Sequence, residues 1–300
     1  VQLPSALKII GSRAFAGNKF TEVEIPASVT SIDQQAFTEC EQLEKYVVDT
    51  ESRSYSSSSG FLYNRVGTTL LSCPEGKAGV ITISTKVKTI GDYAFRDCKK
   101  ITELNLPPTL TTIGRYAFTN MTLYEIEIPP YVTSIGQYAF KDCMQLVAIN
   151  ADEESETFTS EKGILCNKEK TNVEICPPGL KEVTLWEGIT GINAGTFTGM
   201  VEGTVIDLPF SLESISSEND FGAAPVFHIY DNAIIKWYLQ SAGYKWESKG
   251  NYTVSWDNGG LYHKEMAYMQ LRSILSAKPN GTYEAPGEGI SNKLQLDRDG

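Results

Sequence analysis

Apolar positions recur along this chain in one fixed order. An alternating pair closed by proline comes first, as in Val23-Glu24-Ile25-Pro26, Leu104-Asn105-Leu106-Pro107 and Ile126-Glu127-Ile128-Pro129. A Val-x-x-Ile pair follows, then Ala-Phe, then in several copies a Cys three residues after the Phe. Val29 to Phe37 and Val132 to Phe140 are nearly one phrase, with Val87 to Phe95 and Leu110 to Phe118 as close variants. Recurrence at this spacing marks one structural unit stacked on copies of itself. The alternating segments predict strands with one face inward, ended by prolines that have no N–H for the next ladder bond. Val-x-x-Ile predicts a second short extended segment. Gly91, Gly114 and Gly136 predict a tight turn where a Cβ would be costly, and Ala-Phe a helical or 3₁₀ turn facing inward. A period near 22 residues is too short for a strand and a long helix. The predicted fold is therefore a β-rich α/β solenoid with short, irregular convex segments.

The marker phenylalanines are Phe15, Phe37, Phe95, Phe118, Phe140, Phe197 and Phe221, separated by 22, 58, 23, 22, 57 and 24 residues. Each long gap holds about 35 residues beyond one period. The two long stretches are related to each other: Gly60 to Asn64 matches Gly163 to Asn167, and Cys73-Pro74 matches Cys176-Pro177. Residues 1–100 thus recur at 104–200, as a duplicated block of ordinary coils and one irregular coil. The irregular coils predict hairpins, Gly60 to Tyr63 with Thr69 to Cys73 and Gly163 to Cys166 with Val173 to Cys176, linked by turn-rich residues. They are expected to project from the side of the solenoid or to lengthen one coil.

The repeats fade after Phe221. Val226 to Tyr230 predicts a last strand. Asp231-Asn232 introduces an apolar run from Ala233 to Ala242 that Gly243 ends, which predicts an N-capped helix covering the open end of the stack. The expected organisation is a solenoid over 1–246 and a C-terminal extension over 247–300. Within the extension, Asn251 to Trp256 predicts a strand, Lys264 to Ala277 a helix with Met266, Met269, Ile274 and Leu275 inward, and Pro279 to Gly289 a loop.

Composition narrows the function. A net charge of −11 disfavours nucleic acid, whose phosphates call for clustered Lys and Arg. No apolar run approaches the ~18 residues of a membrane span. Val1 to Pro4 matches Val23 to Pro26, so the chain opens inside a repeat, and a signal or lipid anchor is expected in a missing N-terminus. Six cysteines at matching places in the coils read as small buried thiols rather than as a disulfide framework. Only two histidines are present, His228 and His263, and neither lies in a His-Glu-x-x-His motif. A Gly-x-Ser-x-Gly elbow and a phosphate loop are both missing. No enzyme, metal or cofactor is predicted. Asp297 to Gly300 has the start of a calcium loop but lacks its third Asp.

Binding residues are read from the strand ladder, where the neighbours of each inward residue face out. They include Glu22 and Glu24, Glu103 and Asn105, Glu125 and Glu127, Asn150, Glu182 and Asp207, with Lys45 the one base of the row. This acidic ribbon would favour a basic or cation-bearing partner.

With Ile-Pro-x-x-Val-x-x-Ile-Gly-x-x-Ala-Phe-x-x-Cys on the page, the chain resembles the BspA-type leucine-rich repeat family over about residues 1–245. That resemblance implies a leucine-rich repeat right-handed superhelix with a C-terminal capping helix, extracellular or on a cell surface. It also implies adhesion to, or recognition of, a protein or glycan on a host or neighbouring cell by a monomeric chain. The motif residues are core, so the resemblance transfers architecture and no binding site. Two other roles fit the sequence. One is a spacer displaying the C-terminal segment. The other is a carbohydrate-active enzyme or a carbohydrate-binding accessory, with Trp186, Trp246, Trp256 and tyrosines as sugar platforms.

Overall fold

A computed structural model of the chain describes residues 1–216, 225–231 and 233–250, and beyond them the backbone of strands Thr253–Asp257, Leu261–Glu265, Thr282–Glu284 and Lys293–Gln295. Its regular structure is almost wholly β, a solenoid of about 10 turns. Each alternating segment forms a strand, and these strands pair in parallel from coil to coil. Glu22–Ile25 lies beside Lys45–Val48, Gly79–Thr82 beside Ile101–Asn105, and Glu125–Ile128 beside Ala148–Ala151. Glu182–Thr184, Val205–Asp207, Val226–Ile229 and Trp246–Ser248 form one four-stranded run. The Ile of Val-x-x-Ile ends a two-residue strand in a second parallel row, as in Thr89–Ile90, Thr112–Ile113 and Ser134–Ile135.

Ala-Phe sits in the 3₁₀-like turn expected, closed by bonds three residues back such as Ala94 N–H to the Gly91 carbonyl at 3.2 Å and Arg96 N–H to the Tyr93 carbonyl at 3.0 Å, but not in a regular helix. The residue before Ala and the second residue after Phe are commonly left-handed: Tyr93 and Asp97 have φ of 59° and 60°, Tyr116 and Asn120 54° and 59°. This conformation sends alternate backbone N–H groups sideways to the next coil, while those between them bond back along the chain. Tyr93, Phe95 and Asp97 donate to the carbonyls of Arg115, Ala117 and Thr119, at 3.0, 2.7 and 3.0 Å. The repeat glycines serve a different end from the turn expected of them. Gly114 is not left-handed; a Cβ there would lie 2.6 Å from the Asp92 nitrogen of the preceding coil. Close approach of coils, not backbone freedom, demands the glycine.

The thiols complete the coil. All six cysteines are free and buried. Cys40 and Cys143 donate to the carbonyls of Phe15 and Phe118, one coil earlier, at 3.1 and 3.0 Å. The Cys of the motif is thus both a small apolar filler and a weak additional donor to a carbonyl that also accepts a backbone N–H.

Each irregular coil is a three-stranded meander: Tyr55–Ser58, Phe61–Asn64 and Thr69–Ser72, then Phe158–Glu161, Ile164–Asn167 and Asn172–Ile175. The predicted hairpins are present, each with a further strand ahead of it. They do not project. Their last strand also pairs in parallel with the next coil, Thr69–Leu70 with Thr89–Ile90 and Asn172–Val173 with Gly191–Ile192. Their first turn has two consecutive positive φ values, Ser59-Gly60 and Lys162-Gly163, the form that suits strand twist. The Gly60 and Gly163 carbonyls accept from Tyr46 and Ile149 on the first ladder, at 2.9 and 2.8 Å.

The middle strand of each meander is buried on both faces and divides the interior. Leu62 packs in an N-terminal cluster with Phe37 and Tyr46, while Phe61 and Tyr63 join a central one. Leu165 belongs to the central cluster and Ile164 to a C-terminal one. The ring stack is divided to match. Phe15 and Phe37 lie 5.4 Å apart, and Phe95, Phe118 and Phe140 follow at 5.6 and 5.1 Å. Phe221 lies outside the described residues.

Near the C-terminus a helix spans Ile235–Ala242, with Ile235 and Leu239 buried in the C-terminal cluster. Gly243 ends it in a left-handed conformation, as expected. Its start departs from expectation: the capping position is Ile234, without a side-chain bond, because Asp231 instead accepts from Lys236 Nζ at 2.8 Å and Ser248 Oγ at 2.5 Å. Asn232 is outside the described residues. Thr253–Asp257 pairs antiparallel with Leu261–Glu265, and Thr282–Glu284 with Lys293–Gln295. The strand expected at Asn251 to Trp256 is found as Thr253–Asp257, with residues 251–252 outside the described ones. The helix expected from Lys264 begins in a strand, and its remainder, 266–277, lies outside the described residues. The loop expected over Pro279 to Gly289 contains the strand Thr282–Glu284, and the acidic end at 297–300 is again outside them.

Candidate functional site

Alternation along the first ladder puts every inward residue beside two that face out. Glu24, Glu103, Asn105, Glu125, Glu127, Asn150 and Glu182 are exposed, and Glu22 and Asp207 are half-buried. All nine predicted residues therefore share the outward face of this ladder. Register sets their neighbours. Glu103 stands beside Val80, Glu125 beside Ala148, Glu127 beside Asn150 and Glu182 beside Val205. Like charges directly opposite one another are unfavourable, and in these pairs every acid faces a neutral residue.

The ribbon is less uniform than its sequence. At one end Lys45 Nζ pairs with Glu22 at 2.6 Å. At the other, Asp207 meets Lys249 Nζ at 3.0 Å and His228 Nδ1 at 3.8 Å, while His228 Nε2 lies 3.7 Å from Glu247. Lys249 also donates to the Leu208 carbonyl at 3.1 Å and covers the Tyr230 ring at 4.2 Å. Between these ends, Glu125, Glu127 and Glu182 form no ion pair among the described residues, and Glu103 accepts from Asn105 at 3.0 Å. Carboxylates fully solvated on both sides gain little from distant cations. The negative field is thus concentrated on the middle coils.

His228, Glu247 and Lys249 escape a reading that ends the row at Asp207. The alternation Val226-Phe227-His228-Ile229 is the signal that places His228 in the same row. A tyrosine column was likewise overlooked. Tyr93, Tyr116 and Tyr138 stack at 5.0 and 5.1 Å, and the recurring Tyr-Ala-Phe announces it. Two clefts were invisible in the sequence, one between the turns of Phe37 and Phe95 and one between those of Phe140 and Phe197. Of the proposed sugar platforms, Trp186 donates to the Lys170 carbonyl and packs on the C-terminal cluster, and Trp246 lies under Lys236 Nζ at 4.7 Å. The side chain of Trp256 is outside the described residues. No group of three or more metal-ligating side chains occurs among the described residues, nor does a helix long and apolar enough to cross a membrane.

Six copies of the BspA type leucine rich repeat region match residues 1–69 and 76–176. Among solved structures, a leucine-rich repeat protein from Eubacterium ventriosum is 25% identical over 87% of this chain and 68% of its own, with a TM-score of 0.54. A leucine rich cell surface protein from Faecalibacterium prausnitzii is 23% identical, with 71% of this chain and 64% of that chain covered and a TM-score of 0.47. The chain therefore spans less than two thirds of that protein's length. The pneumococcal vaccine antigen PcpA is 18% identical, with 74% and 57% covered and a TM-score of 0.48. No curated protein matches the chain.

Proposed function

This chain belongs to the BspA-type leucine-rich repeat family, and from that premise we propose that it is a non-enzymatic recognition or adhesion protein. It works outside the cell or on its surface and binds a protein or glycan on a host or neighbouring cell. The observation that carries this reading is the separation of labour within each coil. Phe, Cys, Ala and the inward strand residues are consumed by the core, and the outward ladder residues are free to meet a partner. Acids without partners at Glu125, Glu127 and Glu182 favour a basic surface. Ile235 and Leu239 of the helix and Trp246 pack on the C-terminal cluster, which supports reading this stretch as the solenoid's cap and residue 246 as the boundary before the extension.

The test is binding of the immobilised chain to bacterial or host cell extracts and to purified matrix proteins, compared with a Glu125→Gln, Glu127→Gln, Glu182→Gln variant. Loss of three charges should slow association several-fold at low salt, and added salt should erase the difference. Equal association at all salt concentrations would remove the ribbon from the mechanism. A chain truncated after residue 250 should still bind; loss of all binding there would favour the spacer reading.

A further inference from the structure

At the end of the first meander, Cys73 takes the place of a marker phenylalanine. In ordinary coils the Phe N–H donates to the carbonyl of the residue before the next marker ring. Phe15 donates to Ala36, Phe95 to Ala117 and Phe118 to Ala139, at 2.9, 2.7 and 2.8 Å. At the junction with the coil of Phe95, the Cys73 N–H makes that bond, to Ala94 at 2.7 Å. The motif thiols obey the same relation in the other direction. Cys40 and Cys143 reach the carbonyls of Phe15 and Phe118 at 3.1 and 3.0 Å, whereas Cys98 reaches that of Cys73 at 3.7 Å. Where a Phe and a Cys are neighbours elsewhere, two cysteines are neighbours here.

The two side chains turn toward each other. Cys73 Sγ and Cys98 Sγ lie 3.5 and 3.9 Å from one oxygen, the Pro74 carbonyl. The Cys98 thiol also has the Cys73 thiol as a hydrogen-bond partner. Its contacts to carbonyls, at 3.7 and 3.9 Å, are longer than those that hold Cys40 and Cys143.

The duplicated block shows that the core does not require two thiols at such a junction. Cys176 makes the matching backbone bond, to Thr196 at 2.9 Å. Met200, three residues after Phe197, stands where Cys98 stands after Phe95. Both are buried in the C-terminal cluster.

We propose that Cys73 and Cys98 are a disulfide-forming pair, which on oxidation staples the end of the first meander to the turn of the following coil. Cys73 borders the cleft between the Phe37 and Phe95 turns and is the sulfur that a small oxidant meets; Cys98 is fully buried. Hydrogen peroxide converts the Cys73 thiol to a sulfenic acid and releases water. The Cys98 sulfur then displaces the sulfenic oxygen, which leaves with the Cys98 proton as a second water, and the S–S bond forms. The two sulfurs lose the two electrons that the peroxide gains. Burial, then the Cys73 thiol and the charges of Glu75 and Asp97, pushes the Cys98 thiol up, so it is not the group that attacks peroxide first. An extracellular setting favours the oxidised form. The chemistry itself is independent of that setting and of the ladder face.

The test is to treat the reduced full chain with hydrogen peroxide, denature it, alkylate the remaining thiols and digest with trypsin. Peptide 66–77, which holds Cys73, should emerge joined to peptide 97–99, which holds Cys98. The denatured chain should count two thiols fewer than the six of the reduced one. Refolding from urea with oxidised glutathione, which two successive exchanges convert to two reduced glutathiones, should give the same bond without entry through the cleft. Cys98→Met, the residue of the second block, should keep the fold by circular dichroism and lose the joined peptide. Oxidation should raise the urea midpoint of the wild type and leave that of Cys98→Met unchanged. Cys40 is the rival partner, since Tyr46 feels the charges of Cys73, Cys98 and Cys40 together. Six thiols after both treatments, a bridge to Cys40 in place of this one, or an oxidised wild type no more stable than the reduced chain would overturn the proposal.

Discussion

Glu75 illustrates how one residue can record an interruption in a repeat. Its carboxyl substitutes for a missing coil by accepting the Glu39 N–H, and burial raises its pKa from 4.5 to about 7. The folded chain consequently binds a proton more tightly than the unfolded chain. Stability from this group is present below the unfolded value and is lost as pH rises through about 7. The loss should be on the order of 2–3 kcal/mol. Urea midpoints across that range should show the wild type falling with pH relative to Glu75→Gln; parallel curves would place the carboxyl in water. Nothing local in Cys73-Pro74-Glu75-Gly76 betrays this carboxyl, because its burial depends on a coil that is not there. The ladder acids were legible, since alternation alone decides which side of a strand faces out. Their pairing was not. Lys249 reaches Asp207 from another rung, a relation of register rather than of spacing.

The turn around Ala-Phe shows where pattern and geometry part. Inward burial of the Phe was legible from its recurrence, but the left-handed residues on either side are Tyr, Asp, Asn, Glu and Arg more often than Gly. Asp97, Asn120 and Asp142 are of types that tolerate this conformation, but Tyr93, Tyr116, Tyr138, Glu39 and Arg13 have no such preference and gave no hint of it. Their conformation is imposed by bonds to the next coil, a tertiary term that overrides local propensity. The ring itself remains the dominant apolar contribution. Phe118 is fully buried between Phe95 and Phe140, whereas Phe15 is half-buried near the first coil. Phe118→Ala should cost about 3–5 kcal/mol, and Phe15→Ala clearly less. Chemical denaturation of the two variants gives the comparison; equal losses would deny the stack its role.

The solenoid of stacked coils, its duplication and the positions of both irregular coils could be read from the spacing of seven phenylalanines, whereas the α/β character expected gives way to an almost wholly β chain. The division of the interior could not, because a run such as Phe61-Leu62-Tyr63 does not say that its two faces belong to different cores. It does so here, and the molecule should open in parts. In a stacked repeat each unit depends on its neighbours. Phe37→Ala should therefore raise amide hydrogen exchange across Glu22–Val48 by on the order of tenfold or more, and leave Val205–Ile229 close to wild type. A uniform rise across both segments would show one cooperative body. The sideways bonds of Tyr93, Phe95 and Asp97 to Arg115, Ala117 and Thr119 carry an evolutionary corollary. An insertion or deletion of a single residue in that stretch would misalign three rungs with both adjoining layers. Length variation among such proteins should instead fall in the meanders or arrive as whole periods, so that the ribbon lengthens by counting units and not by stretching them.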